Sequence, residues 1–355
     1  MWLQKTALRN GLKFVGVVAV SILLLSCETI SYYSQAARGQ MQILFQREDI
    51  QRLLERDDID ASVRSKLDMI LAIRNFADEE LLLPVGGNYL TYVDLEREHV
   101  VWNVFAAPEF SVDPVIWCYP VAGCVTYRGY FSEAAASNFA EQMGLDGFDV
   151  YIGGVDAYST LGWFDDSLLS TVISRTDHQL AALVFHELSH QLLYVPGDTK
   201  FNESFATAVE REGLNRWLEY NNQSTVVTQA QLENARQSEF VQLVTAFRNK
   251  FDQLYAQELS DVDKRQRKHA LQGELRKEYQ TLKSDWEGNI SYDGWFSRSL
   301  NNAQLSTVST YNDLVPVFDK LLENVGGDLT EFYDSVIKIS NLSEEARSKA
   351  LEEIE

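Results

Sequence analysis

The sequence predicts an α+β chain that is predominantly helical, with a small β-sheet beside one functional helix. Three observations predict it. Apolar residues recur at three- and four-residue spacing through most of the chain, the pattern of helices buried along one face. Only two short regions, near 89–106 and 148–152, carry the β-branched and aromatic enrichment of strands. One helix of ordinary length, opening near Thr176, holds His186-Glu187-Leu188-Ser189-His190 in an otherwise apolar context.

Lys5, Arg9 and Lys13 form a positive start, and Phe14 to Leu25 is an apolar run too short to span a bilayer comfortably. It ends in Leu24-Leu25-Ser26-Cys27, which resembles a bacterial lipobox. That resemblance implies cleavage before Cys27 and lipid on its thiol, which tethers the chain to a membrane. Glu28 rather than Asp follows the cysteine, so the expected place is the bacterial cell envelope, on the outer membrane facing the periplasm. Residues 1–26 are then a signal peptide outside the fold, and 27–355 are a single domain whose C-terminal part is helical from about 228. Removing 1–26 takes away three basic residues and no acidic one, moving the net charge from −21 to −24. Such acidity argues against nucleic acid and against electrostatic docking to anionic lipid. Cys118 and Cys124 lie close together in an exported chain, so a small-loop disulfide is expected.

Helices are expected over about 30–57, on Ile43, Leu44, Ile50, Leu53 and Leu54, and over 60–80, on Leu67, Ile70, Leu71 and Ile73. Asp57 to Asp60 is the turn between them. Tyr89 to Val93 and His99 to Ala106 read as strands joined by an acidic hairpin, and Phe148 to Ile152 as a strand running into Gly153-Gly154. Thr176-Asp177-His178-Gln179 is a capping box that opens the functional helix, and Tyr194-Val195-Pro196-Gly197-Asp198 is the turn that ends it. Asn202 is the expected cap of the next helix, which places Glu203 in its first turn. A charged helical stretch covers 228–285, with Lys264 to Lys268 as a solvated face. Helices near 311–324 and 328–339 flank Gly326-Gly327, and a charged tail begins at Ser343.

Histidines four apart on a helix share a face, so His186 and His190 can converge on one Zn²⁺ while Glu187 serves as general base. Only five histidines occur in the chain, which makes a chance match to this pattern improbable. Catalytic zinc takes three protein ligands. Glu203, on a helix folded back after the Pro-Gly-Asp turn, is the expected third, and Glu210 on the same face is placed to orient a histidine.

These segments resemble the gluzincin metallopeptidases. His186-Glu187-Leu188-Ser189-His190 is followed by Phe201-Asn202-Glu203-Ser204-Phe205-Ala206, close to the N-E-G-F-A element of the aminopeptidase N type. The gap between the two segments is shorter than in those enzymes, so their wider architecture is not carried over. The whole chain resembles a bacterial family of predicted aminopeptidases. The likeness lies in Trp117-Cys118-Tyr119-Pro120 with Gly123-Cys124, Tyr127-Arg128-Gly129-Tyr130-Phe131, the run from Ala157 to Phe164, the zinc segment, and Asn301-Asn302-Ala303 with Thr310-Tyr311-Asn312.

The resemblance implies a gluzincin-like zinc-peptidase core and hydrolysis of peptide substrates, with aminopeptidase action expected and endopeptidase action open. It also implies a strand edge beside the cleft, for which Gly154, Val155, Asp156 and Tyr158 are the candidates, Asp156 also for binding a substrate's α-amino group. Tyr311 is the first choice of oxyanion donor, with Tyr158 and Arg128 next. The alternative is a noncatalytic envelope lipoprotein that binds polypeptides or assembly partners on the same fold. The sequence leaves the oligomeric state open.

Overall fold

The computed structural model describes residues 30–119, 123–157, 164–308 and 314–354. Residues 30–45 form helix α1, which lies against the body of the protein through Tyr32, Gly39 and Ile43. The helix expected to run to 57 is broken. Glu48–Asp49 is a strand, β1, and Ile50–Leu54 a separate short helix, α2. The break is local: the Asp49 side chain accepts from the Arg52 amide at 3.0 Å, and the Ile50 amide donates to the Leu90 carbonyl. Helix α3 (Ala61–Glu79) is capped by Asp60, in the turn the sequence marks.

Next come β2 (Thr91–Val93), β3 (Val101–Pro108), β4 (Trp117–Tyr119), β5 (Gly123–Val125), β6 (Arg128–Tyr130), helix α4 (Glu133–Leu145), β7 (Phe148–Val155) and β8 (Leu168–Leu169). The expected β2–β3 hairpin does not form. Strand β2 lies between β1, antiparallel, and β8, parallel, whereas β3 is the centre of a separate antiparallel sheet ordered β6-β3-β7. The connection is turned away by Glu96, held in the left-handed region, by the Leu95 amide on Ser170 Oγ, and by Arg97 on the Phe131 and Val100 carbonyls. Strand β7 continues through both glycines. Gly154 pairs with Trp102, and the His99 ring lies where a Cβ would stand. Strands β4 and β5 form a two-stranded ladder on which Cys118 and Cys124 face each other and are disulfide-bonded.

The remaining chain is helical: α5 (Asp177–Leu192), α6 (Thr199–Tyr220), α7 (Ser224–Tyr255), α8 (Asp261–Asp285), α9 (Asp293–Phe296), α10 (Asn302–Ser306), α11 (Val315–Asn324), α12 (Leu329–Ser340) and α13 (Glu344–Glu352). The α+β, predominantly helical class is therefore what the chain adopts. The main core packs α3, α5, α6, α11 and α12 around Phe185, Phe201, Phe205, Phe318 and Phe332. Helix α6 approaches its neighbours closely at Gly213, where an added Cβ would lie 2.8 Å from Leu81 and 2.9 Å from the Phe185 ring. A second core, around Phe247, Phe251, Leu275, Tyr279 and Phe296, joins α7, α8 and α9.

Two charged segments behave differently from their sequence reading. Lys268 is buried rather than solvated, with its Nζ 2.6 Å from Asp149 Oδ2 and donating to the Glu109 carbonyl, so it ties α8 to β7. The tail after Ser343 is helix α13, because Ser343 caps it and Leu351 enters the main core. Its Arg347 is 6% exposed and grips Asp198 Oδ2 through two nitrogens at 2.6 and 2.9 Å. Arg347→Ala should destabilise the chain by about 2–4 kcal/mol, somewhat below the cost of breaking a wholly buried pair because Asp198 keeps some solvent contact. Urea unfolding measures it, with Arg56→Ala, from an exposed pair, as the control that leaves the midpoint unmoved.

Candidate metal centre

Helix α5 forms where the capping box predicts: the Thr176 side chain accepts from the Gln179 amide, and the Gln179 side chain accepts from the Thr176 amide. Leu180, Val184, Phe185 and Leu188 bury one face in the main core. His186, Glu187 and His190 are then left on the faces that look toward α6 and α7. The His186 and His190 ring centroids are 5.0 Å apart.

The chain reverses after α5 through Val195-Pro196-Gly197. Gly197 has φ +85, which favours glycine, and the backbone of Gly123 from the disulfide ladder packs against it. The cap of α6 is Asp198, whose Oδ1 accepts from the Phe201 amide at 3.0 Å. Asn202, the expected cap, does something else. Its fully buried amide accepts from the Val195 N–H and donates to the Val195 carbonyl, both at 2.8 Å, and so clamps the turn onto α6.

Glu203 consequently sits a turn inside α6 and faces back to α5. Its Oε2 is 3.3 Å from His186 Nε2, and its Oε1 is 3.8 Å from His190 Nε2. Two ligands of a tetrahedral zinc, each at about 2.0–2.2 Å, stand about 3.3–3.6 Å from each other. Among the described residues these three side chains form a group that could hold a metal, with ligand atoms all within 4.8 Å of one another. Glu210, two turns along α6, places Oε2 3.0 Å from His186 Nδ1, which fixes the ring and leaves Nε2 toward Glu203.

Electrostatics suit a cation. Burial alone would strip the proton from His186, but Glu203 and Glu210 outweigh it and hold the imidazole well above its usual range. Burial drives His190 the other way, down to about 4, so it stays neutral as a ligand must, and its Nδ1 is buried without a partner. Burial also works to raise Glu203, yet the two histidines keep its carboxyl below the ordinary range. Glu187 is pushed up to about 7, first by desolvation and then by the charges of Glu203, Asp166 and Glu210, against the opposing pull of His186. A donor set of two imidazole nitrogens and one carboxylate oxygen fits zinc.

Glu187 stands between two cavities. The larger, about 890 Å³, lies between α5 and α7 over His186, Glu187 and Glu210, with His178, Glu233 and Arg236 on its far wall. The smaller is lined by Tyr89, Asp156, Ala157 and Glu187. The structure thus brings Asp156 near the centre, where its Oδ1 bonds His99 Nδ1 at 2.6 Å and its Oδ2 lies 3.5 Å from Arg175. Gly154 and Val155 are in β7, an outer strand of its sheet. Arg128 lines neither cavity: its guanidinium is sandwiched between Tyr32 and Phe139, at 4.3 and 4.6 Å from the ring centres. Cys27, Tyr158 and Tyr311 fall outside the described residues.

Sequence reasoning missed Tyr89 and the α7 wall. Tyr89 is buried beside Glu187 in a left-handed backbone conformation, and the charge of Glu187, added to burial, raises its phenol well above the usual value. No local pattern marks it, since its neighbour is a hundred residues distant.

A family model described as "Putative aminopeptidase" matches residues 31–351. No curated protein and no solved structure matches the chain.

Glu203→Ala should abolish stoichiometric metal, and Glu210→Gln should weaken it by about 10–100-fold by freeing the His186 ring. Competition with a chromophoric chelator measures both. Because both imidazoles must be neutral to bind, affinity should fall as the pH is lowered.

Proposed function

The chain belongs to the "Putative aminopeptidase" family, and on that premise we propose that it is a membrane-tethered zinc peptidase of the gluzincin type. The observation that carries this reading is the meeting of His186, His190 and Glu203 beside a raised, half-neutralised Glu187 in a cleft large enough for a peptide. Bound by these three side chains, zinc would polarise the scissile carbonyl and make water acidic enough to attack near neutral pH.

The protein's own groups do the rest. Glu187 takes the proton from the attacking water and passes it to the departing amine, work for which a carboxyl poised near 7 is suited. Glu210 holds the His186 ring in one orientation. Tyr311 is the proposed donor to the developing oxyanion; removal of such a donor costs about 10²–10³ in turnover. An N-terminal amine would need an acidic group beside the centre; Glu233 lines the larger cavity, and Asp156, paired with His99 and Arg175, lines the smaller. The lipobox-like Leu24-Leu25-Ser26-Cys27 supports a lipid tether on Cys27 in the cell envelope, at the periplasmic side of the outer membrane.

Glu187→Gln should retain the metal and lose at least about 10²-fold in turnover. Metal content and peptide hydrolysis by the same preparation test it, and undiminished hydrolysis would rule out the general-base role. Zinc-loaded protein should cleave peptides with a free N-terminus and spare the same peptides acetylated. Cleavage of both makes it an endopeptidase, and cleavage of neither leaves the noncatalytic, polypeptide-binding reading.

A further inference from the structure

Helix α1 is apolar on two opposite faces, and among the described residues only one of them has a partner. The inner face is Tyr32, Gln35, Gly39 and Ile43. Tyr32 stacks on Tyr119, Gln35 bonds the Phe131 amide, Gly39 lies against the Phe131 ring, and Ile43 joins Val93 and Val101. At 100° per residue the opposite face collects Ile30, Tyr33, Ala37, Met41 and Phe45 within about 120° of the circumference. Four of these side chains stand in solvent: Ile30 is 64% exposed, Tyr33 44%, Met41 43% and Phe45 80%. A run of large exposed apolar groups at helical spacing is unlike the scattered single ones that every surface carries.

Two further facts indicate what covers it. The chain carries 52 acidic residues, yet none lies between Thr29 and Arg47, a stretch whose only charges are Arg38 and Arg47. The face is thus free of the repulsion that the rest of this acidic protein would feel at an anionic surface. The second fact is reach. Residue 27 precedes Ile30, the first described residue of α1, by three positions, and Leu25, the end of the apolar run, by five. At a maximum of about 3.5 Å per residue, the chain between can reach no more than about 10 or 18 Å whatever its conformation. Whether a lipid on Cys27 or the apolar run itself enters the bilayer, α1 begins at the membrane surface.

We infer that the outer face of α1 is a membrane-docking surface. The helix lies along the bilayer with Ile30, Tyr33, Met41 and Phe45 in the headgroup region and its inner face on the protein, as amphipathic interfacial helices do. The inference rests on the membrane-directed reading of residues 1–27 and is independent of the peptidase chemistry. Docking through α1 turns a flexible tether into a fixed seat.

The test uses the full lipidated chain in vesicles of phosphatidylethanolamine with a minor fraction of phosphatidylglycerol. Spin labels are placed by Met41→Cys and Phe45→Cys, and by Val262→Cys, an exposed site on α8, as reference. The chain without an introduced cysteine reports any labelling at Cys27. The labels at 41 and 45 should collide more often with oxygen than with an aqueous nickel complex, by several-fold relative to the label at 262. Carbonate-resistant sedimentation with the vesicles reports the tether separately. A sedimenting chain whose labels at 41 and 45 are as aqueous as that at 262 overturns the docking face and leaves the tether standing. A chain that does not sediment overturns both. Shielding of 41 and 45 with dipolar coupling between labels of two copies assigns the face to a dimer and also overturns it.

Discussion

The candidate metal centre depends on the reversal between α5 and α6, and the clamp at the heart of that reversal is one side chain. Asn202 satisfies both backbone groups of Val195, so the turn cannot open without stranding a buried donor and acceptor. With the turn closed, Glu203 is delivered opposite His186 and His190 and Glu210 follows on the same face. Other parts of the chain converge on the same few residues. Asp198 caps α6 with one oxygen and receives Arg347 on the other, so the C-terminal helix braces the turn. Gly123 packs its backbone on Gly197, so the disulfide ladder braces it from outside.

The cost of this arrangement is charge placed in the interior. Glu187, Glu203 and Glu210 surround His186, and Asp166 adds its field to theirs. Burial first, and then neighbouring carboxylates that a single imidazolium does not balance, drive Glu187 toward its neutral form. A divalent cation matches the excess. On the other side of α5, Phe185 and Leu188 pack in the main apolar core with α3 and α6, so the charged face has a firm backing.

What was legible in the sequence was local. The capping box, the four-residue spacing of the histidines and the Pro-Gly turn are all written within a few residues of each other, and Glu203 lies on the very next helix. What was illegible depends on distant partners. The β2–β3 connection is held away from a hairpin by contacts to Ser170 and Phe131, both distant in sequence. Lys268 reads as solvated because charge usually is, and the tail that holds Arg347 reads only as charged; their carboxylate partners stand more than a hundred residues away. Tyr89 and the α7 wall reach the site only through tertiary folding. Asn202 was read as a cap because Asn favours caps, and the same short amide chemistry also makes it a good clamp.

Gly213 gives the centre a further property. Helix–helix spacing is set by the bulk of the side chains at the contact, within about 8–10 Å, and here α6 meets the Phe185 ring at Gly213, which has no side chain. That ring immediately precedes His186, and Gly213 follows Glu210 by less than a turn. The separation of the two ligand-bearing helices is therefore gauged by van der Waals contact in the hydrocarbon core. Any ion held by these ligands would then depend on the same packing that keeps the core closed.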